Sequence, residues 1–200
     1  MRTLIWTIVA FLTGALPFSV WVGHLVLDKD IRRYGDGNPG ATNVLRAGGK
    51  GWALLAAVLD MLKGALPVAL AYTVFDIRNA RAIPIALAPL LGHRFSPLLK
   101  GRGGKGVAVT GGVWIGLTYG VGGAVGTLSM TLGYLIQDGD GWAVLLGLAG
   151  IGAYLALFNR DWVLLIIWAL NSLLVLWSYR EAFDRKPHWR AWISGSRPKP

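Results

Sequence analysis

The sequence predicts an all-α integral membrane protein, a polytopic helical bundle of about seven transmembrane helices that forms a single membrane domain over residues 1–200. Three observations support this fold class. Hydrophobic residues make up 54% of the 200 residues and charged residues only 15%, whereas soluble domains carry roughly a quarter charged residues. The apolar residues form runs long enough to cross a bilayer. Ten Trp are present, and Trp52, Trp142 and Trp162 fall at the ends of such runs, as in an aromatic belt.

Polar segments divide the chain into six apolar runs. In chain order these are 4–27, 52–75, 82–99, 107–136, 142–158 and 162–179. The first run is too long for a signal-peptide core, so we expect it to be retained as a span, with a bend at Pro17. The fourth run has thirty residues without a charge. That length is too great for one span of about 20 residues and short for two.

The distribution of Lys and Arg favours two spans within the fourth run. If two short helices are joined near residues 120–123, the loops 28–50 and 100–106 and the polar tail from about residue 180 share one face. That face then carries 15 Lys and Arg, with Arg94 included, against 4 on the other, whereas a single span gives 9 against 10. Lys and Arg concentrate on the cytoplasmic side of membrane proteins. We therefore expect seven spans in the plasma membrane, with the N-terminus outside and both loops and the tail in the cytoplasm.

Small residues recur at helical spacing inside the fourth run. Gly112, Gly116 and Gly120 are four residues apart, and Gly122 and Gly126 repeat this spacing. Such a stripe lets two helix backbones approach closely in lipid. We assign these glycines a packing role and no chemistry.

The first polar loop has the composition of an anion site. It reads Gly-Asp-Gly-Asn-Pro-Gly-Ala-Thr-Asn-Val over residues 35–44, with Arg46 two residues later. Glycines allow the loop to curl so that several N–H groups point into one concavity. Asn and Thr side chains add hydrogen bonds, and an arginine fork matches phosphate. The alternative is a flexible turn between helices, which rarely needs two Asn, a Thr and an Arg close together.

The second polar loop repeats this chemistry. It reads Lys-Gly-Arg-Gly-Gly-Lys-Gly over residues 100–106 and immediately precedes an apolar run. If that run is helical, the loop presents free N–H groups and the positive end of the helix dipole to a phosphate. No Ser or Thr follows Lys105, so the segment is not a nucleotide-binding P-loop. Two such loops on one face indicate a single phosphate site.

Several titratable residues lie within or at the end of predicted spans, and Asp60, Lys63 and His93 are the ones considered for the site. Asp60 and Lys63 are three residues apart and can pair on one helix face. A structural pair that tethers the first loop and a direct substrate contact are both consistent with this position. His93 is interpreted either as a hydrogen-bonding strut or as an active-site contact. The chain has no cysteine, which excludes thiol and cysteine–metal chemistry, and no Ser–His–Asp arrangement is recognisable.

Four segments together resemble the bacterial acyl-phosphate-dependent glycerol-3-phosphate acyltransferases. They are the loop 35–46, Asp-Met-Leu-Lys-Gly over 60–64, Leu-Gly-His over 91–93 and Gly-Gly-Lys-Gly-Val-Ala over 103–108. The resemblance covers about residues 1–110 in order and spacing. It implies a seven-span membrane enzyme that moves a fatty acyl group from acyl phosphate to the sn-1 hydroxyl of glycerol 3-phosphate, giving lysophosphatidate and inorganic phosphate.

The resemblance also implies roles for the loop residues. The first loop is expected to line the substrate pocket and the second to hold phosphate. The candidate catalytic residues are Lys105, Asn43 and His93. The candidate substrate-binding residues are Gly37, Asn38, Thr42, Arg46, Lys63, Gly103 and Gly104. The expected partners are acyl phosphate, glycerol 3-phosphate and the lipid bilayer, and we expect no cofactor, metal ion or nucleic acid.

The chain departs from the family pattern at several places. Asp36 stands where the family usually has serine, and Gln-Asp-Gly-Asp-Gly over 137–141 stands where the family has a Ser-Leu-Ala-Ser stretch. The segment 179–184 lacks the late His and Asn of the family. These differences leave open an acyltransferase with another acceptor, a transport-like or non-enzymatic relative that binds an anion, and a divalent cation held by Asp36, Asp138 and Asp140.

Asp36 has three possible roles beside a phosphate pocket. Its carboxylate can turn away to pair with Arg32, Arg33 or Arg46, it can bind a cation, or the acceptor can lack a phosphate. We favour the first, since three arginines lie within ten residues of it.

Overall fold

The computed structural model describes residues 1–184 and 186–194; Arg185 and the last six residues of the predicted tail lie outside the described residues. The described chain is all-α. Its helices are α1 (Arg2–Gly14), α2 (Phe18–Leu27), α3 (Ala41–Gly48), α4 (Lys50–Ala69), α5 (Ala82–Arg94), α6 (Val107–Leu117), α7 (Val121–Ile136), α8 (Asp140–Tyr154), α9 (Trp162–Ser178) and α10 (Ala191–Ser194).

Seven apolar helical segments match the predicted spans. Four are long and apolar enough to cross a membrane by length and composition, namely Arg2–Leu27, Lys50–Val74, Asn79–Leu99 and Asp140–Asn159. Three are shorter apolar helices, α6, α7 and α9. Large apolar side chains remain exposed along them, such as Leu54 and Leu128 at 66% and 70% exposure, as expected for side chains in contact with lipid. The predicted polytopic helical bundle is confirmed.

The thirty-residue run forms two helices, as the charge distribution predicted. The break lies at 118–120, slightly before the expected position, between α6 and α7. Tyr119 and Gly120 both have positive φ, 53° and 93°, which no residue of a right-handed helix has. The chain divides into two compact units at this break, Met1–Gly120 and Val121–Pro200. The single membrane domain remains a prediction.

The bend expected at Pro17 separates α1 from α2. Pro17 precedes α2 with φ −90° and ψ 60°, and a proline supplies no N–H to continue the hydrogen bonds of α1. The ammonium of Lys63 on α4 donates to the carbonyl oxygen of Leu16 at 2.6 Å. A backbone oxygen released by the break is therefore satisfied by a charged donor, which is required where water is excluded.

Glycines let the helices of the first unit pack at backbone distance. A Cβ on Gly112 would overlap the carbonyl oxygen of Met61, and one on Gly64 would overlap that of Val109, so α4 and α6 are in direct backbone contact. Gly92 on α5 meets the carbonyl oxygen of Phe11 on α1 in the same way. In the second unit, Gly126 on α7 faces a side chain of α8. The packing role predicted for the glycine stripe is supported at Gly112, Gly116 and Gly126, but it is wrong for Gly120, which lies in the break after α6 with nothing within 4 Å of a built Cβ.

The contact between α4 and α6 generates a stability prediction. Gly112→Ala forces the two backbones apart and should destabilise the protein by about 1–3 kcal/mol, the usual cost of overpacking. Gly111→Ala is the matched control, because nothing lies within 4 Å of a Cβ built at Gly111. Thermal unfolding in detergent should show a lower Tm for Gly112→Ala alone. Equal Tm values for the two variants would contradict the contact.

Candidate active site

The first loop is built on a chain path that requires glycine. Gly35 and Gly37 have φ values of 55° and 73°, in the left-handed region that glycine adopts without strain. A Cβ on Gly35 would also overlap the guanidinium of Arg46. After Gly40, the chain enters the short helix α3, which carries Asn43 on its buried face and Thr42 on its exposed face. The loop therefore folds back over the start of α3.

Asn43 organises the first loop. Its side-chain amide nitrogen donates to the carbonyl oxygen of Asn38 at 2.9 Å and to Oδ1 of Asp36 at 3.0 Å. Its side-chain oxygen accepts a hydrogen bond from the guanidinium of Arg46 at 2.8 Å. Asn43 is itself 1% exposed, and its hydrogen bonds are partly buried. The amide thus fixes the positions of a backbone carbonyl, a carboxylate and a cation.

The second loop is held by the C-terminal end of α5. The N–H of Gly103 donates to the carbonyl oxygen of Arg94 at 3.0 Å, and the Arg94 guanidinium donates to the carbonyl oxygen of Gly103 at 3.2 Å. A Cβ on Gly103 would overlap the His93 carbonyl oxygen, and one on Gly104 would overlap the His93 ring nitrogen Nε2. Glycine is therefore required at both positions. Arg94 was not identified as a site residue from the sequence, although it directly follows His93.

The two loops meet at Lys105. Its backbone N–H donates to Oδ1 of Asn38 at 3.0 Å across 67 residues of sequence. Its ammonium donates to Oδ2 of Asp36 at 2.8 Å across 69 residues. The two glycine loops therefore lie together, with Asn38, Asn43, Arg46 and Lys105 in one cluster, and the single phosphate site there remains a prediction. The individual site roles remain predictions.

Asp36 lies at the centre of this cluster. Its carboxylate also accepts the N–H of Asn38 at 3.2 Å, and the Arg46 guanidinium is 3.8 Å away. Burial by itself raises the pKa of Asp36, but the hydrogen bond and charge of Lys105, together with Asn38 and Asn43, bring the pKa below its usual value. Asp36 is therefore an ionised carboxylate that accepts hydrogen bonds from both loops.

The predicted pairing of Asp36 with an arginine is confirmed for Arg46, but the carboxylate does not turn away from the second loop, because it also pairs with Lys105. Of the three arginines considered, Arg46 is near the carboxylate, but Lys105 is closer. Arg32 is paired with Asp30 at 2.8 Å, and its hydrogen bonds bring the pKa of Asp30 to about 2. The sequence could not reveal the Lys105 contact, because nothing local indicates which cation of a distant loop reaches Asp36.

A buried ion pair lies beside the α1–α2 bend. Lys63 Nζ is 2.7 Å from Asp60 Oδ1, and Asp60 Oδ2 accepts the Ser19 hydroxyl at 2.5 Å. The side chains of Lys63 and Asp60 are 1% and 3% exposed. The pair that the helical spacing predicted is present and tethers α4 to the segment leading into the first loop. The substrate-binding role of Lys63 remains a prediction.

His93 is 8% exposed and packs against the two glycines that precede and follow Lys105. The ring therefore packs against the second loop, and its interpretation as a hydrogen-bonding strut remains a prediction. A direct catalytic role for His93 remains a prediction.

The acidic segment that replaces the family's Ser-Leu-Ala-Ser stretch contacts the tail. Oδ1 of Asp138 accepts the N–H of His188 at 2.9 Å, and the Asp138 N–H donates to the His188 carbonyl oxygen at 3.2 Å. Within residues 1–184 and 186–194, no group of three His, Cys, Asp or Glu lies together as a metal site would require. The divalent-cation interpretation thus gains no support from the described residues.

An all-helical membrane bundle whose two glycine loops bring lysine, arginine and asparagine to one place defines an integral membrane protein with a polar loop cluster that is a candidate anion site. The chain belongs to the glycerol-3-phosphate acyltransferase family, whose model matches residues 4–187. The resemblance inferred from the four motifs is confirmed, and it extends beyond the first 110 residues.

Individual relatives agree with this assignment. Glycerol-3-phosphate acyltransferase 1 of Deinococcus radiodurans is 36% identical over 90% of both chains. The Macrococcus caseolyticus glycerol-3-phosphate acyltransferase is 32% identical over 100% of this chain and 97% of its own. The chain spans about half the length of the Enterococcus faecalis relative, which is 38% identical over 56% of this chain and 52% of its own.

Solved structures of an integral membrane glycerol 3-phosphate acyltransferase, PlsY (YgiH), share the fold. The glycerol 3-phosphate form has a TM-score of 0.85 at 27% identity, covering 98% of this chain and 94% of that chain. The lysophosphatidic acid form has a TM-score of 0.84 at 26% identity, covering 98% and 93%.

The two interpretations of Lys63 make different predictions. Lys63→Met leaves Asp60 as an unpaired buried charge and should cost about 3–5 kcal/mol of stability. The double variant Asp60→Asn with Lys63→Met removes both charges and should recover much of this loss. If the pair is structural, the folded double variant binds inorganic phosphate as the unmodified protein does. A tenfold loss of phosphate affinity in that variant, measured by calorimetry, would instead show that Lys63 contacts the ligand.

Proposed function

We propose that this chain is a membrane acyltransferase that moves a fatty acyl group from acyl phosphate to the sn-1 hydroxyl of glycerol 3-phosphate. The products are lysophosphatidate and inorganic phosphate, so the enzyme serves phospholipid biosynthesis. One observation carries the proposal: two glycine loops that are far apart in sequence converge on Lys105, Asn38 and Asn43. Membership in the family and the fold shared with the PlsY structures support it.

The chemistry suits a site that provides charge and position. An acyl phosphate is a mixed anhydride and is already activated. The glycerol hydroxyl oxygen attacks the acyl carbon, the bond from that carbon to the phosphate oxygen breaks, and phosphate leaves with the negative charge. The hydroxyl proton passes to the departing phosphate. The protein need only hold the two substrates together and stabilise the charge that develops on the phosphate.

The cluster contains suitable groups for these tasks. The Lys105 ammonium and the Arg46 guanidinium bring two positive charges to one carboxylate, and phosphate is recognised by the same donors. The N-terminus of α6 follows the second loop directly and favours an anion. We assign charge stabilisation to Lys105 and substrate positioning to Asn38, Thr42, Asn43 and Arg46. Gly37, Gly103 and Gly104 are assigned close approach of the backbone to the substrates.

The direct test of this function is a transfer assay. Purified protein is incubated with acyl phosphate and glycerol 3-phosphate, with and without magnesium, and lysophosphatidate is measured. The proposal predicts product without added magnesium. Absence of lysophosphatidate with both substrates present would overturn it, and product only with magnesium would favour the divalent-cation interpretation.

Lys105→Ala should lower kcat by about 10²–10³, the effect of removing one preorganised donor to a developing negative charge. Arg102→Ala is the control, because it removes a positive charge from the same loop at an exposed position. Turnover and Tm are measured for both variants. A folded Lys105→Ala protein with unmodified turnover would show that the second loop has only a structural role.

We also propose that the protein lies in the plasma membrane with its N-terminus outside and with both loops and the C-terminal tail in the cytoplasm. The excess of Lys and Arg on the loop side supports this orientation. The chain contains no cysteine, so single cysteines can be introduced without background.

A cysteine at Lys186 should be protected from a membrane-impermeant thiol reagent in intact cells and become reactive after lysis. A cysteine at Ala80, an exposed position between α4 and α5, should react in intact cells. The reverse labelling pattern would contradict the proposed orientation.

A further inference from the structure

The carboxylate of Asp36 occupies the centre of the cationic cluster. Four donors surround it: the Lys105 ammonium at 2.8 Å, the Asn43 amide at 3.0 Å, the Asn38 N–H at 3.2 Å and the Arg46 guanidinium at 3.8 Å. These groups are an ammonium, a guanidinium and two amide N–H donors. The same set of donors recognises phosphate oxygens. An anion that belongs to the chain thus already uses the groups that the proposed function assigns to the substrate.

The cluster is open enough for this carboxylate to be exchanged. The side chains of Asp36, Arg46 and Lys105 are 43%, 44% and 27% exposed, so water and small anions can reach them. Asp36 is also flanked by Gly35 and Gly37, both with positive φ. Glycine neighbours give a short loop many accessible backbone conformations, so the Asp36 carboxylate can move away from Lys105.

The neighbouring carboxylate provides a contrast. Asp30 accepts two hydrogen bonds from Arg32, at 2.8 and 2.9 Å, and both residues belong to the same short turn. Asp36 instead reaches across to a loop 69 residues away. The Asp30 pair therefore closes a local turn, whereas the Asp36 pair uses the cations on which phosphate chemistry depends.

We propose that Asp36 is a specificity-determining residue that competes with the substrate phosphate for Lys105 and Arg46. This inference rests on the proposed function, in which those cations hold phosphate. A phosphate-bearing substrate must displace the carboxylate, and the like charges of Asp36 and phosphate oppose binding. Ligands without a phosphate leave the Asp36–Lys105 ion pair intact. Asp36 therefore sets the affinity of this site for phosphate.

The test replaces Asp36 by Asn, which keeps its size and its capacity to accept hydrogen bonds but removes the charge. In Asp36→Asn the Kd for inorganic phosphate, measured by calorimetry on the full chain, should fall by about fivefold or more, because like charges no longer meet. The KM for whichever of acyl phosphate and glycerol 3-phosphate binds at this position should fall similarly. Separate KM measurements for the two substrates identify which phosphate occupies the site.

Asp30→Asn is the matched control, since it removes the same charge from an ion pair six residues earlier in the chain. It should change neither the phosphate affinity nor either KM. A change of less than fivefold in the phosphate Kd of Asp36→Asn, a weaker affinity, or an equal gain in Asp30→Asn overturns the proposal. The phosphate Kd is measured without acyl transfer, so it tests Asp36 even if the transfer assay gives no product.

A second variant at the same position keeps the test valid if Asp36→Asn misfolds. Asp36→Ser installs the residue that the family usually has at this position, and it should reproduce the gain in phosphate affinity. Loss of affinity in both variants with unchanged Tm would show that Asp36 instead holds Lys105 in place, which overturns the proposal.

Discussion

The contact between Lys105 and the first loop is the interaction on which the candidate site depends. Lys105 gives its backbone N–H to Asn38 and its ammonium to Asp36, and it thereby joins the second loop to the first. The two loops come from different parts of the chain, one before α3 and one before α6. Without this junction they would be separate turns. With it, two cations and two asparagines share one small region at the ends of the helices.

The helices determine where the loops can meet. Backbone contacts through Gly64 and Gly112 fix α4 against α6, and Gly92 fixes α5 against α1. The buried Lys63–Asp60 pair then joins α4 to the α1–α2 bend. Apolar side chains gain little free energy by moving from lipid into a helix interface. Close backbone packing and internal hydrogen bonds therefore determine the helix positions. These helix contacts therefore set the positions of the two loops.

The fold was largely predictable from the sequence. Hydropathy located the spans, and the distribution of Lys and Arg divided residues 107–136 into the two helices that the structure contains. Glycine at four-residue spacing predicted the close contact of α6. Hydropathy and glycine spacing are local patterns, and the Lys and Arg distribution is a sum over the loops. A single sequence is therefore enough to identify all three.

The details of the site were less predictable. The sequence indicated that both loops belong to one site, but it could not show that Asp36 reaches Lys105, because the pairing depends on how α4, α5 and α6 pack. For the same reason, the sequence could not show that Asp60 binds the Ser19 hydroxyl or that Lys63 binds the Leu16 carbonyl oxygen. The exposed Thr42 has a position on α3 but no contact that defines a role. Long-range pairing of polar side chains follows from the three-dimensional packing and not from local patterns.

The central claim is that the junction of the two loops is the phosphate site and that Asp36 holds it in the absence of substrate. A structure determined with inorganic phosphate bound tests this most directly. The account predicts phosphate oxygens within hydrogen-bonding distance of the Lys105 ammonium and the Arg46 guanidinium, with the Asp36 carboxylate moved off Lys105. A phosphate bound elsewhere, with the Asp36–Lys105 ion pair intact, would contradict it.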